Sequence, residues 1–150
     1  MRRSALVLLV TALVVAASGC SKSVTPGATT TTIGRSLPFE GSPPKNTVAK
    51  AAGLVFPAST GGYESVRVDP SELDLTFTIA PDDVDGFVTD SGLGTLADGR
   101  IIQHSSPVFP QNPTGTVRSS TSQHGELTRI VEVVDQPGQP TVVRLVITTP

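Results

Sequence analysis

The sequence predicts a small α+β domain, an antiparallel sheet of three to five strands with one short amphipathic helix packed on it. Three observations predict it. Over residues 73–79, Leu73, Leu75, Phe77 and Ile79 alternate with Asp74, Thr76 and Thr78, the period of a half-buried strand. Pro81 and the acidic Asp82, Asp83 and Asp85 precede Val84, Phe87 and Val88 at i, i+3 and i+4, the pattern of a short helix over 81–91. Two β-rich runs, 127–134 and 141–148, flank Pro137-Gly138 and read as a hairpin. A β-sandwich with minor helices is the alternative arrangement of the same pieces.

Upstream of that domain the chain reads as an address. Arg2 and Arg3 open it, and an apolar run broken only by Thr11 extends over 5–17. A helix of that length rises about 20 Å, short of the roughly 30 Å hydrocarbon core. Positive start, apolar run and small residues in that order describe a secretory signal peptide. The run ends Ala17-Ser18-Gly19-Cys20, and Cys20 is the single cysteine of the chain. This string resembles the lipobox of bacterial lipoproteins, with Ala17 where leucine is usual. The resemblance implies cleavage between Gly19 and Cys20 and a diacylglycerol on the Cys20 thiol. Two or three acyl chains (palmitate-type) would hold the protein on the membrane, at about 0.8 kcal/mol per buried CH₂.

Residues 1–19 are thus expected to be a lipoprotein signal peptide, 20–44 a tether and 45–150 one globular domain. The tether reading rests on Thr, Ser, Pro and Gly, with the run Thr29-Thr30-Thr31-Thr32 as a place for O-linked sugar. Of the 11 basic and 13 acidic residues, removal of Arg2 and Arg3 leaves 9 against 13, a net charge of about −4. That argues against nucleic-acid binding, which needs a basic face. Trp is absent and Tyr63 is the single tyrosine, so aromatic platforms for bases or sugars are scarce. With Cys20 alone, no disulfide staples the fold.

Within the domain, Asn46 is placed to cap a helix over 47–52, with Val48, Ala51 and Ala52 on its apolar face and Gly53 at its end. Residues 54–57 read as extended, Gly61-Gly62 as a turn and 64–68 as a weak strand. Gly92 is placed to stop the 81–91 helix in a left-handed conformation, with Leu93 folding back. Residues 94–125 carry many Gly and Pro and read as irregular. In that stretch Ile101-Ile102 and Val108-Phe109 read as short strands or plugs, and 116–125 reads as a polar, mobile segment. In the final hairpin Val131 and Val133 alternate with Ile130, Glu132 and Val134, so both faces are apolar and a central place in the sheet follows.

The order of a Gly-x-x-Phe-Pro segment, an alternating strand, a Pro-Asp-Asp-Val-Asp-Gly-Phe helix closing at Ser91-Gly92-Leu93 and a C-terminal Val/Arg hairpin is similar to that of small, uncharacterised exported lipoproteins of actinobacteria. The resemblance spans residues 54–150 and implies no activity.

Candidate chemistry is sparse. Asp83, Asp85 and Gly86 suggest part of a calcium loop, but with Gly86 at the invariant glycine the first and last ligands fall on Pro81 and Gly92. Gly92-x-Gly94-x-x-Ala97 matches a dinucleotide string but follows a helix where the motif must open one. His104 and His124, with Glu126, are the sequence's zinc candidates but lack helical spacing and read as loop residues. Ser105-Ser106 and Ser119-Ser120 lack a nucleophile elbow, and Pro113 bars Asn112 as a glycan acceptor. No catalytic, cofactor or metal residues are therefore assigned. The expected role is a lipid-anchored, non-catalytic protein on the extracytoplasmic face of the cell membrane. It would act through envelope protein or cell-wall contacts, with a small-ligand or metal carrier as the alternative.

Overall fold

A computed structural model describes residues 35–110 and 114–150. Helix α1 (Lys45–Ala52) leads into β1 (Gly61–Asp69) and β2 (Glu72–Ile79). A 3-10 turn, Pro81–Asp83, runs into α2 (Val84–Asp90), and β3 (Ala97–Asp98), β4 (Thr116–His124), β5 (Leu127–Asp135) and β6 (Thr141–Thr148) follow. The strands form one antiparallel sheet in the order β1-β2-β6-β5-β4-β3.

This corrects the α+β expectation. Six strands replace the three to five predicted, and two short helices are minor additions to a mostly-β protein. The sandwich alternative is nearer in content, although the strands are hydrogen-bonded into a single sheet. The main cause is β4. Its sequence, Thr-Val-Arg-Ser-Ser-Thr-Ser-Gln-His, has no apolar alternation, yet it pairs with β5 without a break from Thr116 opposite Asp135 to His124 opposite Leu127. Backbone pairing to an apolar neighbour, not its own pattern, makes it a strand. Gly61 and Gly62 likewise lie in β1, at a register shift, not in a turn.

The faces follow from alternation. Leu73, Leu75, Phe77 and Ile79 of β2 point inward with Val131 and Val133 of β5 and Val143, Leu145 and Ile147 of β6. Val48, Ala52, Val84, Phe87 and Leu93 from the helices and their ends complete that core. Each fully buried large side chain there contributes about 1.5–3 kcal/mol. Leu37 and Phe39 also belong to this core, and the Leu37 N–H donates to Pro70 O at 2.8 Å. The packed body therefore begins upstream of the tether boundary at 44. The opposite face is covered by residues 99–110, whose Ile102 and Phe109 pack on Val146, so these residues are plugs and not strands. The central place expected for the final hairpin holds, with β5 and β6 covered on both sides.

Several local readings hold. Gly92 takes φ 58, and the Leu93 N–H donates to Val88 O at 2.9 Å, ending α2. Gly138 takes φ 71 after Pro137, and the Gln139 N–H reaches Gln136 O at 3.1 Å, a type II turn. Asn46 does not cap α1; Pro44 holds that position without a side-chain bond.

One buried cation ties the helices to the sheet. Arg129, on the inner face of β5, donates from Nη1 to Ala52 O (2.9 Å) and Ser91 O (2.8 Å) and from Nη2 to Gly92 O (2.7 Å) and Gln123 O (3.3 Å). Three of these carbonyls stand at helix C-terminal ends, where the backbone dipoles leave partial negative charge. Arg129→Met would strand these acceptors, and we expect a loss of about 3 kcal/mol or more in urea unfolding. Arg129→Lys, which keeps charge but not the fork, should fall between.

Candidate functional site

The outer face of the sheet carries charge where apolar residues are expected. Asp74 on β2, Arg144 on β6 and Glu132 on β5 share that face, and all three are buried. Glu132 is the hub. Its Oε1 accepts the backbone N–H groups of Ile101 and Ile102, each at 2.7 Å, and its Oε2 accepts Arg144 Nη1 at 2.9 Å. The Arg144 guanidinium also lies 4.4 Å from the Phe109 ring centroid. Burial lowers the Arg144 pKa from its ordinary value, and the Glu132 carboxylate opposes that fall. The covering loop is thus held at two points, a carboxylate on its backbone and a cation on its aromatic ring.

Between them hangs His104. Its Nε2 lies 3.0 Å from Asp74 Oδ2 and 3.6 Å from Glu72 Oε1. One donor atom from each of Glu72, Asp74 and His104 falls within 4.8 Å of the others. Glu72 and Asp74 are two apart on β2 and so project from one face. Asp74 is fully buried, and its Oδ1 accepts no hydrogen bond. Burial and then the neighbouring Asp74 carboxylate raise the Glu72 pKa, while His104 works against them. An imidazole nitrogen between two carboxylates can bind a proton or coordinate a cation.

The sequence's zinc candidates are not brought together. His104 joins the carboxylates of β2, whereas the His124 ring packs against Gly53, at the end of β4, and Glu126 pairs with Arg35. Asp83 accepts a bond from Ser59 Oγ beside α2, and Ser120 Oγ donates to Leu93 O at 2.7 Å, both structural duties. Cys20, the Gly19–Cys20 cleavage point, Thr29–Thr32 and Asn112 lie outside the described residues. Glu72 and Asp74 escaped sequence reasoning because polar residues alternating in a strand read as its solvent side. The Glu72-x-Asp74 spacing was the available signal, but His104 is 30 residues away. No protein-family model matches the chain, and neither a curated protein nor a solved structure does.

Two outcomes test this geometry. In Glu132→Gln the Arg144 cation loses its counter-charge, and the Ile101 and Ile102 amides should lose most of their hydrogen-exchange protection, with a stability loss of about 3 kcal/mol. For Glu72 the folded state keeps its proton to a higher pH than the unfolded chain. The stability tied to that protonated form is complete below the ordinary glutamate range and is lost as pH rises through the raised value. Glu72→Gln in metal-free buffer should therefore melt above the parent near pH 7 and level with it near about pH 3.

Proposed function

We propose that the protein is a lipid-anchored envelope protein on the extracytoplasmic face of the cell membrane, acting through contacts with envelope proteins or cell wall and not by catalysis. One observation carries this reading. Arg2-Arg3, the apolar run and Ala17-Ser18-Gly19-Cys20 stand in export order, and the chain's single thiol falls where a lipid is attached. An exported thiol without a partner is otherwise a liability, and acylation removes it.

Fractionation of cells making the Cys20→Ala chain tests the anchor. The parent should sediment with membranes and be extracted by detergent, while Cys20→Ala should appear in the soluble extracytoplasmic fraction or the medium. A Cys20→Ala chain that stays in the membrane fraction, or a native polypeptide whose N-terminus lies upstream of Cys20, contradicts the proposal.

A further inference from the structure

We propose that Glu72, Asp74 and His104 form a binding site for one divalent transition-metal ion of the zinc class, which fastens the covering loop to the sheet. The site is independent of the lipid anchor: a chain that stays on membranes without binding metal refutes the site alone.

Two separations are close to those of a tetrahedral site, and the third, between the two carboxylates, lies within 4.8 Å. Ligands about a tetrahedral ion at 2.0–2.1 Å stand about 3.3 Å apart. The two distances from His104 Nε2, 3.0 Å and 3.6 Å, bracket that spacing. The donors are also held in advance. Glu72 and Asp74 lie in the unbroken ladder between β2 and β6, opposite Thr148 and Val146. His104 follows closely on Ile101 and Ile102, whose N–H groups are fixed by Glu132, and its ring lies 5.7 Å from that of Phe109. None of those restraints uses the His104 nitrogen that faces the carboxylates.

An unmet acceptor, Asp74 Oδ1, favours a metal over a plain histidine–carboxylate pair. Arg144, the buried cation on this face, bonds Glu132 at 2.9 Å and acts on Asp74 through space, without a hydrogen bond to it. Arg100 approaches the same Glu132, at 4.0 Å. Two carboxylates, one fully buried, are left facing one imidazole. A protonated His104 supplies one positive charge and turns one donor, Nε2–H, to the carboxylates, leaving Asp74 Oδ1 without a partner. A divalent ion supplies two charges and can draw on the whole Asp74 carboxylate. The donor set is one nitrogen and carboxylate oxygens without sulfur, which suits Zn(II) over Cu(I), and three side chains are too few for a Ca²⁺ site of six to eight oxygens. His104 and Glu72 are partly exposed, at 38% and 26%, so a fourth position opens to solvent. That openness suits a water or a donor from a partner.

The test is titration of Zn(II) into the full chain in detergent micelles after chelator treatment, read by calorimetry and native mass spectrometry. One Zn(II) per chain is expected, with the dissociation constant raised at least about tenfold in His104→Gln and in Glu72→Gln and unchanged in His124→Gln. Both altered side chains are part-exposed, so circular dichroism should show a folded sheet in each variant. Zn(II) should also slow hydrogen exchange across 99–110. Absence of stoichiometric binding would overturn the site, as would equal affinity in His104→Gln and the parent, or a loss in His124→Gln as large as in the other two.

Discussion

A guanidinium taken out of water must find acceptors, and in this chain two of them sit on the central strands, one on each face of the sheet. Arg129 on β5 is met by backbone carbonyls from the ends of both helices and from β4. Arg144 on β6 is met by Glu132 and by the face of Phe109. Leaving either cation unpaired would cost several kcal/mol, a large part of a small domain's total stability. The coverings of the sheet are therefore not interchangeable. On the inner face the helices must bring their C-terminal carbonyls to one point. On the outer face the loop must present an aromatic ring and two amides.

Apolar contact alone would not impose this. Val, Leu and Ile on both faces of β5 and β6 would accept many coverings of about the right volume, whereas a carbonyl-bound or carboxylate-bound fork accepts few. The same requirement places His104. Because Glu132 holds the loop at Ile101 and Ile102, the imidazole is set over β2, where Asp74 Oδ2 and the Phe109 ring meet it. A loop otherwise short of regular structure thereby becomes a defined surface over charged strands.

What could be read from the sequence was what depends on period and on turn chemistry. Leu73 to Ile79 alternate, Gly92 and Pro137-Gly138 need special backbone angles, and all were found where expected. What could not be read depends on neighbours. β4 is polar throughout and is a strand because β5 lies beside it. Leu37 and Phe39 lie in a Pro- and Ser-rich stretch whose composition outweighed two apolar side chains that prove to be buried. Asp74 falls on the polar side of an alternating strand, and Glu132 among the apolar residues of a strand covered on both faces, since alternation gives the face of a residue but neither what covers that face nor which charge meets it. The His104 site was invisible for the same reason, with its donors on a strand and a distant loop.

Arg129 and Arg144 are locked charges inside the sheet, and NMR of their guanidinium groups tests that most directly. Held as described, each should show separately resolved Nη protons with slow rotation about the Cζ–N bonds and slow exchange with water. Averaged signals like those of free arginine, at either residue, would contradict it.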